Sequence, residues 1–540
     1  FIIYASILLL GIAMILFFGT RKQGFHEDEI YSYFSSNRTA GVAWPDREWM
    51  DTQTLTDEMV VLPGEGFRYG LVRTVQSWDV HPPLWYDILH TACSLVPGTF
   101  TKWTGIGVNL AAFVLCYFLL LAICRECRLS HRFTALFLLL WAIHPLTVSA
   151  AMFIRMYLWF TVFVLACAWL HLRMLHGFTK RRMAGVMIIS FLGFLTHYYY
   201  LIFFFFTGVT ICLLWFLQKT EDTAATELNA RIGRIVRYVI CCAVSLAAAI
   251  LYYPASLSHI FRGYRGREAA EALRTASGWA GRLSFFGGLV NDFVFGGALP
   301  VLLFLYLVLV IGGGRVQRRW RPAALLLGLP TFLYFLVVSA TALLLGNTSN
   351  RYLMPVDPLI YLLVLSAGYR LLRRLIRYWR PERGRDERHL QRKVFRWRML
   401  RAALIALFVA VFLFIDLNGL FITEQVLFLY PENAAAMETA RANRDIPVII
   451  LYNEKSPENI WRLYDKLAVF PRVYYVNAAN GEPLEEKVFK ECPELYVFAA
   501  DTEENMDRDA RLADLMRGNP QLEEKEALVR DVMWTWYDLK

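Results

Sequence analysis

Long apolar blocks constrain the fold of this chain most strongly, because each is nearly free of charge and about 20 residues long. A helix of roughly 20 apolar residues can cross a hydrocarbon core of roughly 30 Å. Eleven such blocks occur, at about residues 1–19, 105–124, 132–150, 153–172, 183–198, 201–217, 235–254, 290–312, 323–345, 353–376 and 400–421. The sequence therefore predicts an α-helical polytopic membrane protein with about 11 transmembrane helices.

Basic residues are concentrated in alternate connections between these blocks. If residues 20–104 form a first external loop, five connections lie inside and each is rich in Lys or Arg: 125–131, 173–182, 218–234, 313–322 and 377–399. Because Lys and Arg favour the cytoplasmic side, this alternation predicts the orientation of the chain. The run from Arg373 to Arg401 is interpreted as an anchor on anionic membrane lipids, and no nucleic-acid partner is expected.

The composition changes after residue 421, since residues 422–540 contain 14 Lys and Arg but 23 Asp and Glu. The runs IPVIILY, RVYYV and ELYVFA predict buried strands, and two segments with caps at Ser456 and Asp501 predict helices. This alternation is typical of a small α/β domain. The expected organisation is a transmembrane module over 1–421 and a soluble extracytoplasmic domain over 422–540, used for packing or recognition.

Unusual polar residues collect at one end of the predicted spans. Ionisable groups at membrane depth are costly and usually functional. The alternation of spans assigns the following residues to the outer face: His26, Glu27, Asp28 and Glu29 after span one, Asp79 and His81 before span two, Arg155 and Tyr157 opening span four, His197 ending span five, and Arg351 and Tyr352 opening span ten. An outward-facing polar cavity would hold them all. Each also has a structural interpretation, such as an arginine that reaches the lipid headgroups.

The combination of motifs is more specific than any single one. An acidic DE pair after span one, DVHPPL before span two, RMY opening span four, THY ending span five and RYLMP late in the chain together resemble the GT-C class of glycosyltransferases. The chain is similar in particular to protein O-mannosyltransferases and bacterial aminoarabinose transferases, over roughly residues 1–421. The resemblance implies a multi-pass enzyme of the cell membrane. It would move a hexosyl or pentosyl group from a polyprenyl-phosphate sugar donor to a hydroxyl acceptor on a lipid, glycan or protein.

Roles for the outer-face residues follow from the resemblance and from the chemistry of the reaction. The acceptor hydroxyl needs a base, and the departing phosphate needs cations. The expected roles are Asp28 as general base, Glu29 as its orienting or alternate carboxylate, Arg155, Arg351, Tyr157 and Tyr352 at the donor phosphate, and Asp79, His81 and His197 shaping the site. Attack opposite the leaving phosphate predicts inversion at the anomeric carbon. No cofactor is demanded, and a divalent metal on Asp28, Glu29 and His81 is an option.

Two other classes of function stay open at this point. A lipid-linked-sugar flippase or transporter would place charged groups deep within its spans, with broken helices near the midplane. Here the polar groups collect at one face, and Asp357 and Asp416 are the exceptions. A receptor whose tail is the working part would leave the first-loop acids without a role.

Overall fold

The structure is a computed structural model that describes residues 2–38, 42–217, 224–275, 278–312, 322–378, 387–455, 457–480, 482, 484, 487–500, 507–530 and 533–540. Mostly helical, the chain divides into two compact units. Unit 1 comprises Phe1–Phe18, Gln76–Trp85 and Ile106–Leu427, and unit 2 comprises Gly19–Val75, Tyr86–Gly105 and Phe428–Lys540. Unit 2 thus takes in parts of the first loop as well as the tail, while the division into 1–421 and 422–540 stays a prediction.

The first part of the described chain holds helices α1 to α11 and one strand. The helices are α1 (Ile2–Arg21), α2 (Glu27–Asn37), α3 (Thr52–Met59), α4 (Tyr69–Ser77), α5 (Leu84–Ser94), α6 (Lys102–Glu126), α7 (His131–Ile143), α8 (Pro145–Met152), α9 (Tyr157–Leu175), α10 (Lys180–Thr196) and α11 (Tyr200–Leu217). Strand β1 (Glu48–Asp51) lies between α2 and α3.

The rest of the described chain holds the remaining helices and strands. The helices are α12 (Ala224–Tyr252), α13 (Ala255–Phe261), α14 (Tyr264–Thr275), α15 (Trp279–Leu289), α16 (Leu299–Gly312), α17 (Pro322–Thr341), α18 (Asp357–Tyr378), α19 (Glu387–Phe421), α20 (Asn433–Ala442), α21 (Tyr464–Leu467) and α22 (Arg508–Gly518). The strands are β2 (Val448–Tyr452), β3 (Arg472–Asn477), β4 (Leu495–Ala500), β5 (Lys525–Arg530) and β6 (Trp534–Leu539).

Every apolar block predicted from the sequence contains a helix. Within the described residues, seven helices are long and apolar enough to cross a membrane, and the bent pair α7–α8 would add an eighth. Helix α10 has 17 residues, which is at the short end of the range for a full crossing. The chain is therefore a polytopic membrane protein of mainly helical fold with a smaller α/β part, as the sequence predicts.

The block at 290–312 differs from the continuous helix that its composition predicts. A π-helical turn over Val290–Val294 follows α15, and α16 begins only at Leu299. Gly296 and Gly297 lie between them with φ of 55° and 83°. Because a side chain at Cβ disfavours positive φ, glycine is the residue that permits this break.

The strands of unit 2 form one six-stranded sheet in the order β1-β3-β2-β4-β6-β5. Strands β3, β2 and β4 are parallel, whereas β1 and β6 pair antiparallel with β3 and β4. All residues of β2 and β4 are buried. Central parallel strands are covered on both faces, which is why they appear in the sequence as continuous apolar runs.

The two helices predicted in the tail are shorter than expected. The segment after Ser456 forms a 3₁₀ turn over Pro457–Leu463 and the single-turn α21. Helix α22 begins at Arg508, where the Asp507 side chain accepts a hydrogen bond from the amide of Ala510 at 3.0 Å. Ser456 and Asp501 themselves lie outside the described residues.

Substitution of Gly193 on α10 tests the packing between α10 and the turn into α11. A Cβ at this position would lie 2.6 Å from two atoms of the fully buried Tyr200 ring. We expect Gly193→Ala to destabilise the protein by about 1–3 kcal/mol, because the ring has no room to shift. Gly107→Ala on α6 is the control, since its Cβ meets nothing within 4 Å. It should be neutral or stabilising by about 0.5–1 kcal/mol. Thermal unfolding in detergent measures both, and equal behaviour of the two variants would contradict the packing.

Candidate active site

Seven side chains of unit 1 form a cluster around two arginines, here called the arginine cluster. Its members are Asp79, His81, Arg155, Tyr157, His197, Arg351 and Tyr352. The guanidinium groups are buried, with relative exposures of 3% for Arg155 and 6% for Arg351. Both act electrostatically on His197, which places the three together. These residues are separated by as many as 273 positions in the chain, and only the helical packing of unit 1 unites them.

Arg155 lies in the short break between α8 and α9. Asn109 of α6 donates from Nδ2 to the carbonyl of Phe153 at 2.7 Å and to that of Ala151 at 3.2 Å. These carbonyls lie at the end of α8, where a helix leaves its last carbonyls without internal partners. Asn109 therefore holds the broken backbone that directs Arg155 and Tyr157 into the cluster.

Asp79, His81 and Arg155 form a chain of polar contacts that orients the Arg155 side chain; this chain is here called the Asp79–His81 relay. His81 Nδ1 lies 2.8 Å from Asp79 Oδ2, and His81 Nε2 lies 3.5 Å from a terminal nitrogen of Arg155. With the proton on Nδ1, His81 donates to Asp79 and presents the lone pair of Nε2 to the guanidinium. Burial alone would raise the pKa of Asp79, but the nearby His81 ring and its hydrogen bond, together with the Arg155 charge, lower it to about 2. Asp79 thus stays ionised at neutral pH.

Arg351 is placed by a 3₁₀ turn over Gly346–Tyr352 that precedes α18. Its terminal nitrogen lies 3.4 Å from the hydroxyl of Tyr352, and its guanidinium carbon is 5.2 Å from the centre of that ring. The carbonyl of Tyr352 accepts a hydrogen bond from the Tyr334 hydroxyl at 2.9 Å. The cation–π contact with the Tyr352 ring and the hydrogen bond from Tyr334 to the Tyr352 carbonyl therefore fix the position of Arg351 in the cluster.

Aromatic rings enclose His197 between the two arginines. The His197 ring stacks on Phe160 with centres 5.0 Å apart and an interplanar angle of 6°. Tyr157 lies 5.7 Å from His197 and 6.1 Å from Tyr352. These rings bury His197, which is 8% exposed, and electrostatic interactions are stronger in such a low-dielectric environment.

The acids that follow α1 belong to unit 2, where His26, Glu27, Asp28 and Glu29 form the acidic cluster. His26 caps α2: its Nδ1 accepts from the amide of Asp28 at 3.1 Å, and Glu29 Oε2 accepts from the amide of His26 at 2.6 Å. This reciprocal capping box fixes the first turn of α2. Asp28 Oδ2 lies 3.6 Å from His26 Nδ1, and the Asp28 side chain is 24% exposed.

Two of the three acids are held by cations. Glu27 Oε2 lies 2.6 Å from a terminal nitrogen of Arg462, and Glu29 Oε2 lies 2.9 Å from Lys22 Nζ. The Lys22–Glu29 pair is fully buried, and Lys22 also donates to the carbonyl of Phe428 at 2.7 Å. Burial lowers the pKa of Lys22, while the Glu29 charge opposes that effect. The environments of the three adjacent acids thus differ, with Asp28 beside the histidine.

The acidic cluster contains one group of residues that could hold a metal ion. His26, Glu27 and Asp28 each offer an atom within 4.8 Å of the others, and all three are partly exposed. Glu29 Oε2 is bonded to Lys22 and to the amide of His26, and the set of Asp28, Glu29 and His81 expected from the sequence stays a prediction. A mixed nitrogen and oxygen donor set suits a divalent transition metal.

Several residues that shape these clusters escape sequence reasoning. In the sequence, Lys22 looks like an ordinary basic residue at the end of a helix, and Arg462 is far along the chain from Glu27. Asn109 is a single polar residue in an apolar block. For Asn109 a signal exists, because a polar residue within a span usually has a partner. For Lys22 and Arg462 the partner depends on tertiary structure alone.

Comparisons with known proteins support the fold. Neither a family model nor a curated protein sequence matches the chain. The chain is similar in structure to ArnT from Cupriavidus metallidurans bound to undecaprenyl phosphate, with a TM-score of 0.52 and 12% identity over 99% of this chain and 97% of that chain. The archaeal oligosaccharyltransferase AglB from Archaeoglobus fulgidus, in complex with an inhibitory peptide and a dolichol-phosphate, gives a TM-score of 0.40 and 14% identity over 92% of this chain and 69% of that chain. The likeness to ArnT confirms a GT-C fold, that of polytopic membrane glycosyltransferases.

A double-mutant cycle tests the buried Lys22–Glu29 pair. Lys22→Met alone leaves the Glu29 carboxylate buried without its cation, so it should cost about 3–5 kcal/mol of unfolding free energy. The variant Lys22→Met/Glu29→Gln should cost less than the sum of the single changes, with a coupling of about 1–3 kcal/mol. Denaturant or thermal unfolding in detergent measures the cycle.

An exposed ion pair in unit 2 supplies the control for this cycle. Arg68 lies 3.0 Å from Glu65 and is 52% exposed, so Arg68→Gln should change the stability by less than about 1 kcal/mol. Strict additivity of Lys22→Met and Glu29→Gln would contradict the buried pair.

Proposed function

We propose that the protein is a membrane glycosyltransferase that moves a sugar from a polyprenyl-phosphate donor to a hydroxyl acceptor on the extracytoplasmic side. The arginine cluster within a GT-C fold is the observation that carries this proposal. The similar ArnT structure contains bound undecaprenyl phosphate, which is the class of donor carrier proposed here. The alternative, a lipid-linked-sugar flippase, has less support because the likeness in fold is to a transferase.

The charges of the arginine cluster suit the phosphate of such a donor. Two guanidiniums face one carboxylate among its seven members, so the cluster is positively charged when His81 and His197 are neutral. Guanidinium groups hold phosphate oxygens through paired, charge-assisted hydrogen bonds and keep their charge when buried. The Tyr157 and Tyr352 hydroxyls are suited to donate to the remaining oxygens. Asp79 and His81 act as positioning residues because they orient Arg155.

Asp28 is the proposed general base. Glu27 and Glu29 form ion pairs with Arg462 and Lys22, whereas Asp28 lies in the first turn of α2 beside His26 with its side chain 24% exposed. Glu29 orients Asp28 through the capping box. An ionised carboxylate can take a proton from the acceptor hydroxyl, an effect typically worth roughly 10²–10⁴ in rate.

The reaction is a single displacement at the anomeric carbon. The acceptor oxygen forms a bond to this carbon as its proton passes to Asp28, and the bond from the carbon to the donor phosphate oxygen breaks. The leaving polyprenyl phosphate carries away the electron pair, and the arginines neutralise its charge. Attack from the side opposite the phosphate inverts the anomeric configuration.

A divalent metal fits the acidic cluster in this scheme. His26, Glu27 and Asp28 would hold it, with the Glu27 carboxylate shared with Arg462. Such an ion would act as a Lewis acid beside the reacting groups. The proposed acceptor is a hydroxyl group on a lipid, a glycan or a protein, and the proposed donor carries a hexosyl or pentosyl group. The roles of these residues are the same in each case.

A transfer assay tests the role of Asp28. Purified protein receives a radiolabelled polyprenyl-phosphate sugar and a cell-envelope extract, and the initial rate of label transfer is measured. We expect Asp28→Asn to lower the rate by roughly 10²–10⁴, because the amide does not accept the proton. Asp51→Asn is the matched control, as an exposed acid of unit 2 that makes no side-chain capping bond, and should keep the wild-type rate.

The product also tests the single displacement, because its anomeric configuration should be opposite to that of the donor when determined by NMR. Equal rates for Asp28→Asn and wild type would contradict the proposed base. Retention of configuration would contradict the single displacement.

A further inference from the structure

A small cavity in unit 1, lined mainly by apolar side chains, contains a buried acid that the proposed reaction does not use. The cavity has a volume of about 30 Å³, and Asp357, Tyr361, His144, Thr147 and Thr161 supply its polar side chains. The residues come from α18, the α7–α8 bend, α8 and α9. A volume of this size holds roughly one water molecule or one dehydrated ion.

Asp357 is the residue that indicates a bound ligand. It is 7% exposed, and neither carboxyl oxygen has a hydrogen-bond partner among the described residues. It opens the first turn of α18, where the helix dipole favours a negative charge. A buried carboxylate without a partner is costly, so a cation or a proton must compensate it.

The neighbouring His144 does not supply that positive charge. Its Nδ1 accepts from the amide of Leu146 at 3.2 Å, and its Nε2 lies 3.1 Å from the carbonyl of Val294. An accepting Nδ1 and a donating Nε2 define the neutral imidazole. The Nε2–H group also lies 3.8 Å from Asp416 Oδ1, so His144 contributes dipoles but no net charge.

A second buried acid adds to the negative potential. Asp416 of α19 is fully buried, and its Oδ2 lies 3.4 Å from the hydroxyl of Tyr361. Tyr361 lines the cavity and stands one helical turn after Asp357 on α18. Two carboxyls, one histidine and one tyrosine are therefore the titratable groups of this site.

Irregular backbone surrounds the cavity and supplies further oxygen ligands. Helices α7 and α8 meet at His144 with a bend of 48°, and Val294 ends the π-helical turn. The carbonyl of Met354, which precedes α18, accepts from the Thr161 hydroxyl at 3.4 Å. Broken helices at membrane depth are tolerated where they line a cavity, and their carbonyls coordinate cations in membrane transporters.

We infer that this cavity is a binding site for a single monovalent metal cation of the sodium class, held by Asp357 together with hydroxyl and carbonyl oxygens from α9 and the turn before α18. Oxygen atoms are the ligands that hard cations prefer. The small volume excludes Mg²⁺ with the several waters that it usually retains. A water molecule would not balance the charge of an ionised Asp357 carboxylate, whereas a cation would. The ion would tie the start of α18 to α9 through Asp357 and Thr161.

Thermal unfolding of the full chain in detergent tests this inference. Sodium chloride is titrated against choline chloride at constant ionic strength and neutral pH, so that only the identity of the cation changes. We expect sodium to raise the melting temperature of the wild type saturably, by about 2–4 °C, because it binds the folded state alone. Asp357→Asn should remove this increment. Asp292→Asn, at an exposed acid of unit 1, should retain it.

Direct binding provides a readout that does not depend on how well the variants fold. Equilibrium binding of radioactive sodium to the wild type should saturate at one ion per chain, with choline unable to compete. Absence of saturable binding in the wild type would overturn the inference, as would a sodium increment that persists in Asp357→Asn. Stabilisation by acidic pH without any response to sodium would also overturn it, because Asp357 would then be protonated instead of cation-bound.

Discussion

The burial of two guanidinium groups is the physical constraint on which the site of unit 1 depends. Moving such a cation out of water costs several kcal/mol even after the protein relaxes. The chain offsets this cost with the Asp79–His81 relay at Arg155 and with the Tyr352 ring at Arg351. Both arginines lie on irregular backbone between helices, so a break in regular structure accompanies each buried charge. A phosphate bound between them would complete the compensation and give the arrangement its function.

Charge compensation also distinguishes the adjacent acids of unit 2. Glu27 and Glu29 are each paired with a cation, and the Glu29 carboxylate in addition caps α2. The Asp28 carboxyl lies 3.6 Å from His26 Nδ1, and its side chain is 24% exposed. In sequence the three acids look equivalent, whereas their positions on the first turn of a helix direct them to different partners. These different partners underlie the proposal that Asp28 is the reacting carboxylate and Glu29 its support.

The sequence predicts the helices well because an apolar run of about 20 residues has few alternatives to a spanning helix. It also predicts β2, β3 and β4, which are buried strands with continuous apolar runs. It misses the two edge strands, because β1 has only four residues and β5 contains charged residues. It also misses β6, which is recognised as a strand only by its pairing with β4 and β5. The members of the arginine cluster can be collected from the sequence through the alternation of spans. The Lys22–Glu29 and Arg462–Glu27 pairs cannot, since they depend on tertiary contacts between distant segments.

Binding of the donor carrier tests the central claim most directly, and it needs no acceptor. The affinity of purified protein for undecaprenyl phosphate is compared with that for undecaprenol, which lacks the phosphate. Arg155→Gln and Arg351→Gln should each weaken phosphate-dependent binding by about 10–100-fold, because each removes a charge-assisted hydrogen bond. Arg173→Gln, near the opposite end of α9, should leave the affinity unchanged. Equal affinity for the two lipids, or unchanged affinity in both cluster variants, would contradict the assignment of this site to a lipid phosphate.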